Sequence, residues 1–189
     1  MMLSENIPWS EKYRVHGLSD IKGQDMAVDK VRMFLRMFPR KRAVILHGPP
    51  GVGKTSLAYA VAAEMGAEIL ELNASDFRNK TKIAEIVGPA SRQASLFGKG
   101  KIILIDEVDG ISAMKDRGGL PELLGLIAKS AFPIIITAND IWDKKFNMLR
   151  KGADLVALKE VDSKSVLKIL MEVCEKENCV VSGEVLRGI

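Results

Sequence analysis

The sequence predicts an α/β fold in which a five-stranded parallel sheet is covered by helices on both faces. Short apolar runs alternate with longer amphipathic stretches, which is the βαβ pattern of a parallel sheet. The runs are rich in Ile, Val and Leu and lack strict polar alternation, as expected when both sheet faces are buried. A glycine-rich loop also joins the first run to a helical stretch. The five predicted strands are residues 43–47, 68–73, 101–106, 133–138 and 154–158.

The stretches around these strands have the apolar spacing of helices. An Ala-rich stretch stops at Gly66, a residue type that often follows a helix end. Another stretch contains Pro89, so it is either kinked or divided into two helices. The four predicted helices are 24–38, 54–65, 81–96 and 120–129, and the first would bury Val28, Val31, Leu35 and Phe38.

A further helix is predicted over Ser163–Lys176. Asp162 lies just before it, and an Asp side chain there can accept hydrogen bonds from the free amides of the first turn. Ser182 could begin one more helix, which would reach Ile189 without a stop signal, so the chain is expected to end inside an element, as a fragment would. The residues expected to face inward from the helix after Asp162 are Val166, Ile169, Leu170 and Val173.

Length and composition indicate one domain, or one domain and part of another, in an ordinary globular protein. The chain has 189 residues, of which 47% are hydrophobic. No apolar run approaches the roughly 20 residues that span a bilayer, and two reduced thiols, Cys174 and Cys179, are expected, so we predict a cytoplasmic protein without a membrane partner. A net charge of +4 permits a polyanionic partner without requiring one.

A phosphate-binding loop follows the first strand and matches the pattern G-x-x-x-x-G-K-[ST]. Its glycines allow the backbone to turn amides inward, and the following helix N-terminus attracts anions. Lys54 would reach the β and γ phosphates of a nucleoside triphosphate, and Thr55 would bind Mg²⁺. The alternative is a glycine-rich turn with an accidental Lys. The predicted loop residues are Gly48, Pro49, Pro50, Gly51, Val52, Gly53, Lys54, Thr55 and Ser56.

Two carboxylates end the third strand, in the pattern known as Walker B. Asp106 would hold Mg²⁺, largely through water, and Glu107 would polarise the water that attacks the γ phosphate. The alternative is a solvated acidic turn, because Asp109 follows. This pairing, and the absence of an N-K-x-D guanine motif, favour ATP over GTP.

A polar residue also ends the fourth strand. Asn139 would lie at the same sheet edge as Asp106, where it could bind the γ phosphate or the attacking water. The alternative is a turn residue, because Asn139 and Asp140 together favour a turn.

These motifs, with several others, resemble the AAA+ ATPases and, within them, the clamp loaders. The resemblance extends from residue 8 to about 177. It rests on Pro-Trp-Ser-Glu-Lys-Tyr-Arg at 8–14, Leu-Ser-Asp-Ile-Lys-Gly-Gln at 18–24, Glu-Leu-Asn-Ala-Ser-Asp at 71–76, Asp-Glu-Val-Asp at 106–109 and Thr-Ala-Asn-Asp at 137–140.

The resemblance implies an AAA+ P-loop core over 1–159 and the start of a small helical lid domain over 160–189. It implies ATP and Mg²⁺ as cofactors, with Lys54, Glu107 and Asn139 as catalytic residues. Tyr13 would form part of an adenine-binding wall, although a half-buried Tyr is the plainer interpretation. The implied adenine-flanking residues are Lys12, Tyr13, Arg14, Ile21, Gly23 and Gln24.

Two departures from the family pattern refine this prediction. The family's lid supplies an Arg from a Gly-Asp-Leu-Arg motif, and none occurs before Ile189. The Ser-Arg-Cys motif of small subunits, whose Arg acts on a neighbour's ATP, is replaced by Leu-Arg-Lys-Gly at 149–152. This favours the large-subunit branch found in archaea. Arg150 would either substitute for that Arg or be a solvated charge.

The resemblance implies ATP-driven loading of a sliding clamp onto primer–template DNA, as part of a hetero-oligomer with clamp-loader small subunits. One rival is a helicase or initiator motor of the AAA+ type, and another is a nucleotide-binding scaffold with little turnover. DNA contacts would come from basic residues near helix N-termini, although each could equally be a solubility charge. They are Arg78, Lys80, Lys82, Lys115 and Arg117.

Overall fold

The computed structural model describes residues 8–13, 15–73, 100–111 and 119–179. The predicted helices over 81–96 and after Ser182 lie outside these ranges. So do the predicted adenine-flanking residue Arg14 and the predicted DNA contacts Arg78, Lys80, Lys82, Lys115 and Arg117.

Five parallel strands form one sheet, as the sequence predicts. Their order across the sheet is β2-β3-β4-β1-β5. The fifth strand stops one residue before the predicted end, although the Leu158 amide still donates to the His47 carbonyl at 2.8 Å. The strands are β1 Ala43–His47, β2 Glu68–Asn73, β3 Lys101–Asp106, β4 Ile134–Ala138 and β5 Asp154–Ala157.

Helices cover both faces of this sheet, which confirms the predicted fold class. Alternate residues of a strand point to opposite faces. Val44 and Leu46 of β1 pack with α2 and α3, whereas Ala43 and Ile45 pack with α4 on the other side. The helices are α1 Trp9–Lys12, α2 Asp25–Met37, α3 Lys54–Glu64, α4 Gly119–Lys129, α5 Asn147–Gly152 and α6 Ser163–Lys176.

The parallel arrangement brings the carboxyl ends of the strands to one edge. β4 lies between β3 and β1, with Ile136 opposite Ile105 on one side and Ile45 on the other. The next residues of β3 and β4, Asp106 and Thr137, therefore lie side by side at this edge.

The buried face of α2 differs from the predicted one. Ala27, Val28, Val31 and Phe34 are buried, and Leu35 is only partly buried. The helix ends at Met37 because Phe38 is extended, with φ −63° and ψ 137°, as residues before proline usually are. Phe38 therefore cannot continue the helical face on which the sequence placed it.

The other end-of-helix signals agree with the structure. Gly66 follows α3 with a left-handed φ of 58°. Asp162 caps α6 by accepting a hydrogen bond from the Ser165 amide at 2.7 Å. The predicted inward face of α6 is only half covered, however, and Ile169 is 39% exposed because it faces a cavity beside the phosphate loop. None of the described helices is long and apolar enough to cross a membrane.

Gly48 marks the point where β1 turns into the phosphate loop. Its φ is 152°, and a Cβ atom at this position would lie 2.2 Å from the backbone oxygen of Leu158. Any side chain would therefore push the loop away from the segment that follows β5. A glycine is required here for two reasons: a side chain would clash with the Leu158 backbone, and the backbone at this position has a positive φ.

Replacing Gly48 by Ala should lower the free energy of unfolding by about 1–3 kcal/mol, because the added methyl group overlaps a backbone atom that cannot rotate away. Urea unfolding measures the change. Gly125→Ala in α4 is the matched control, since nothing lies within 4 Å of the added Cβ, and it should raise stability by about 0.5–1 kcal/mol. Equal stability of Gly48→Ala and the unsubstituted chain would contradict the close approach.

Candidate active site

The phosphate loop, residues 48–53, connects the central strand β1 to the N-terminus of α3. Gly51 and Gly53 have left-handed φ values of 78° and 94°, which residues other than glycine rarely adopt. The first amides of α3 have no partner within the helix, and the helix end carries partial positive charge. The loop and the first turn of α3 therefore form a cradle suited to an anion such as phosphate.

Lys54 lies at the centre of this cradle and is only 9% exposed. Its ammonium group donates to the carbonyls of Gly48 at 2.8 Å and Pro49 at 2.7 Å, and to Oδ1 of Asn139 at 2.8 Å. Burial lowers the pKa of Lys54, and the charges of Asp109, Asp106 and Glu107 oppose this effect. Phosphate oxygens carry negative charge and are stronger acceptors than carbonyls, so they could replace these partners.

Thr55 and Asp106 form the part of the site that suits a magnesium ion. The Thr55 hydroxyl donates to Oδ1 of Asp106 at 3.1 Å. Hydroxyl and carboxylate oxygens are hard ligands, and Mg²⁺ in nucleotide sites usually takes one or two protein oxygens together with phosphates and water. Within the described ranges, no cluster of three or more His, Cys, Asp or Glu residues could hold a metal. The donor set therefore fits a metal that arrives with a polyphosphate.

Glu107 directly follows β3 in a left-handed conformation, with a φ of 53°. This conformation costs a residue other than glycine about 1–3 kcal/mol. The Glu107 amide donates to Oγ1 of Thr137 at 2.9 Å, which offsets part of that cost. Its carboxylate is exposed to the cleft beside the phosphate loop.

Asn139 and Asp109 connect the ends of β4 and β3. The Asn139 amide donates to Oδ2 of Asp109 at 3.2 Å, while the Asn139 side chain accepts from Lys54. The other oxygen of Asp109 is buried, and no hydrogen-bond partner for it is found among the described residues. The sequence indicates Asp109 only as part of a possible acidic turn and of the motif at 106–109, and it does not predict the bond of Asp109 to the Asn139 amide or its effect on Lys54.

Two cavities meet at the phosphate loop. The smaller, of about 260 Å³, contains Lys54, Thr55, Asp106, Glu107 and Asn139, which are the predicted catalytic and metal-binding residues. The larger, of about 610 Å³, lies between the N-terminal segment and α6. Both cavities are lined by Gly51, Gly53 and Ser56. The arrangement accommodates a molecule with a phosphate end in one cavity and a larger group in the other.

Three of the predicted adenine-flanking residues line the larger cavity: Lys12, Tyr13 and Ile21. Gln24 does not line it. Its buried amide instead donates to the carbonyls of Lys159 at 2.6 Å and Val52 at 3.3 Å, so that Gln24 supports the cavity wall from behind.

Gly23 is also absent from the lining. A Cβ atom on Gly23 would lie 3.2 Å from Cγ1 of Val161. Its role is therefore close packing against the segment that leads into α6.

A group of side chains joins the N-terminal segment to the end of α6 beside the larger cavity. Glu177 Oε1 accepts a hydrogen bond from the Tyr13 hydroxyl at 2.5 Å and forms an ion pair with Lys12 at 2.6 Å. These contacts, Lys12 first, lower the pKa of Glu177. No local sequence signal indicates this clasp, because Tyr13 and Glu177 are 164 positions apart.

Arg150 is held by contacts within the chain. Its guanidinium donates to the carbonyls of Ile141 and Asp143 and to Oδ1 of Asn147, and it lies 5.4 Å from the ring centre of Trp142. The sequence left open a finger for a neighbouring site or a solvated charge. The contacts show that Arg150 holds the turn between β4 and α5, and the choice between those two alternatives stays a prediction.

Comparison with known proteins places the chain in a family. A family model described as "ATPase family associated with various cellular activities (AAA)" matches residues 44–156. Three archaeal relatives, each called replication factor C large subunit, are 42% identical to this chain. The protein from Thermofilum pendens aligns over 97% of the chain and 46% of its own length. The corresponding values are 99% and 44% for Nanoarchaeum equitans, and 97% and 43% for Sulfolobus acidocaldarius.

The chain thus spans less than half the length of these relatives, while almost all of it is similar to them. The family match covers the sheet from β1 to β5, including the phosphate loop and the ends of β3 and β4. The parallel five-stranded sheet of the structure agrees with this match. The chain therefore belongs to the AAA family of ATPases.

Proposed function

We propose that the chain binds ATP with Mg²⁺ and hydrolyses the γ-phosphate bond. The observation that carries this proposal is the convergence of Lys54, Thr55, Asp106, Glu107 and Asn139 on one cleft of about 260 Å³ at the phosphate loop. Phosphoryl transfer to water uses groups of these kinds. They are a cation, hydroxyl or carboxylate oxygens that hold a metal, a free carboxylate and an amide.

Each side chain has a separate part in the proposed reaction. Lys54 and the amides of the loop bind the phosphate oxygens and oppose the negative charge that develops on them. Thr55 and Asp106 hold Mg²⁺, which supplies further charge neutralisation when bound. The Glu107 carboxylate orients the attacking water and accepts its proton, and Asn139 fixes the position of the γ phosphate or of that water.

The larger cavity is proposed to bind the adenine base. Apolar side chains of Ile21, Val161 and Val173, together with the Tyr13 ring, line it and offer surfaces against which a planar base can pack. The clasp of Lys12, Tyr13 and Glu177 lies at the side of this cavity. Its contacts join the N-terminal segment to α6, so bound adenine would touch both.

We further propose that the chain acts within a replication factor C complex, with small subunits, to load a sliding clamp onto primer–template DNA. The names and 42% identity of the three archaeal relatives support this proposal. DNA contact by Arg78, Lys80, Lys82, Lys115 and Arg117 stays a prediction. The local role of Arg150 supports a subunit that donates no Arg to a neighbour, because a finger would have to break its present contacts.

Glu107→Gln should abolish hydrolysis while leaving binding intact, because the amide keeps the shape but cannot accept a proton. In the complex with small subunits and primer–template DNA, turnover at this site should fall by about 10²–10⁴-fold, with the Kd for ATP little changed. Glu160→Gln, an exposed carboxylate after β5, is the control. Unchanged turnover at this site in Glu107→Gln would contradict the catalytic role of Glu107 and would favour a nucleotide-binding scaffold with little turnover.

Glu177→Gln should weaken ATP binding by about two- to fivefold, because ion pairs near the protein surface contribute little individually. The same change should alter the fluorescence emission of Trp9, whose ring lies 6.4 Å from that of Tyr13. The measurement uses a chain in which Trp142 is replaced by Phe, so that Trp9 is the tryptophan observed. Glu175→Gln, which changes an exposed carboxylate in the last turn of α6, should do neither. Identical emission and affinity in the two variants would show that the clasp does not contribute to the cavity.

The lowered pKa of Glu177 also predicts how the clasp depends on pH. Because the folded-state pKa lies below the ordinary value, the clasp stabilises the attachment of the N-terminal segment above the ordinary carboxyl pKa. This stabilisation should decrease as the pH falls through the lowered value. The Trp9 emission of the Trp142→Phe chain should therefore change in that acidic window, and Glu177→Gln should remove the transition. A transition that persists in Glu177→Gln would assign it to other groups.

Affinity capture tests the proposed assembly. The chain should retain clamp-loader small subunits and the sliding clamp in a pull-down, with retention of the clamp increased by ATP. A chain that is folded, as judged by cooperative unfolding, and captures neither partner would count against the clamp-loader proposal while leaving the nucleotide site untouched.

A further inference from the structure

Thr137 is a polar residue in an otherwise apolar strand. It follows Ile134, Ile135 and Ile136 in β4 and is only 1% exposed. A buried hydroxyl needs hydrogen-bond partners to offset its lost hydration. The register of the sheet places Thr137 beside Asp106, at the edge where the proposed site lies.

The directions of the two hydrogen bonds made by Thr137 are fixed by chemistry. The Glu107 amide can only donate, so Oγ1 of Thr137 accepts that bond, of 2.9 Å. The single hydroxyl proton is then free to point at Oδ1 of Asp106, with which Thr137 also forms a hydrogen bond. One hydroxyl thus joins the side chain of Asp106 to the backbone of Glu107.

Both of these partners need to be held. Oδ1 of Asp106 accepts from Thr55 as well as from Thr137, and these two donors together orient the carboxylate. Glu107 has a left-handed backbone with a φ of 53°, which only its surroundings can maintain. If the hydroxyl of Thr137 were absent, the Glu107 amide would lose its acceptor and the Asp106 carboxylate would lose a donor.

We propose that Thr137 is a positioning residue for hydrolysis, setting through one hydroxyl both the orientation of Asp106 toward the metal and the backbone conformation of Glu107. This inference rests on the proposed ATPase function. Thr137 also lines the cleft, but its hydroxyl is bonded to Asp106 and to the Glu107 amide, so the proposed role is to position those residues and not to bind the nucleotide. The effect of its removal should therefore fall on turnover and on the magnesium requirement rather than on nucleotide capture as such.

The alternative is a hydroxyl that only satisfies the core. Ser130, just before β4, provides the matched comparison. It is also 1% exposed, donates to the Phe132 carbonyl at 2.7 Å and accepts from the Phe132 amide at 3.1 Å. Ser130 lies at the opposite end of β4 from the site. Ser130→Ala therefore removes a buried hydroxyl that also accepts from a backbone amide, but that donates to a backbone carbonyl and has no link to Asp106 or Glu107.

The test compares Thr137→Val, Thr137→Ser and Ser130→Ala in the complex with small subunits and primer–template DNA. Thr137→Val should lower kcat by about 10- to 100-fold, the range found for residues that orient metal ligands, with little change in KM. It should also raise the Mg²⁺ concentration that gives half-maximal turnover. Thr137→Ser should restore both values because it keeps the hydroxyl, and Ser130→Ala should keep the unsubstituted kcat.

Calorimetric titration with ADP gives a second readout that does not depend on turnover. The ratio of the ADP Kd in EDTA to that in Mg²⁺ should shrink in Thr137→Val and be restored in Thr137→Ser. If Thr137→Val shows no cooperative unfolding transition, Thr137→Ala replaces it in both measurements under the same criteria.

The outcomes distinguish a failure of the proposed ATPase function from a failure of the proposed role of Thr137. A complex of unsubstituted subunits that fails to hydrolyse ATP at this site would overturn the proposed function. Normal hydrolysis together with an unaltered kcat, Mg²⁺ requirement and ADP ratio in Thr137→Val would overturn the role of Thr137 alone. Equal losses of kcat in Thr137→Val and Ser130→Ala would also overturn it, since they would reflect core stability.

Discussion

The buried ammonium group of Lys54 connects three elements at the carboxyl edge of the sheet. It begins α3, donates to carbonyls where β1 becomes the phosphate loop, and donates to Asn139 after β4. An unpaired buried charge would cost several kcal/mol, so the charged ammonium group needs acceptors, either these oxygens or the phosphate oxygens that could replace them. The buried positive charge therefore explains both the attraction of this group for phosphate and its structural role in joining the three elements.

The second connection at this edge is the hydroxyl of Thr137. Parallel topology puts the ends of β3 and β4 beside each other, and the hydrogen bonds of Thr137 fix how Asp106 and Glu107 leave β3. Asp109 adds a bond to the Asn139 amide from the same turn. Lys54 and Thr137 thus organise the two sides of the cleft, which are the proposed phosphate side and the proposed metal side.

Much of this arrangement could be predicted from local sequence. Apolar runs gave the five strands to within one residue, because both faces of the sheet are buried and leave a continuous signal. The ends of parallel strands share an edge, so Lys54, Asp106, Glu107 and Asn139 could be expected near one another. Contacts between segments that are distant in the sequence could not be predicted. The bonds of Thr137, the clasp at Glu177 and the inward turn of the Gln24 amide depend on register and packing between distant segments.

In two further places the structure departs from the periodic apolar pattern of a helix. The apolar spacing of α2 continued through Phe38, yet the following proline ended the helix before that residue could join the buried face. Apolar residues on α6 suggested a packed face, but Ile169 lines a cavity instead. This half-exposed apolar face beside the phosphate loop supports the proposed base-binding cavity, and its exposure depends on packing between segments that composition alone does not reveal.

Titration calorimetry of the isolated chain with ATP is the direct test of the nucleotide site, because it measures binding without turnover or partner subunits. One ATP should bind per chain, more tightly with Mg²⁺ than in EDTA, and Lys54→Met should weaken binding by at least about tenfold, since a charged hydrogen bond contributes about 1.5–3 kcal/mol. Lys151→Met, an exposed lysine of α5, should bind as the unsubstituted chain does. No ATP binding by the folded chain, or equal binding by Lys54→Met, would contradict the account.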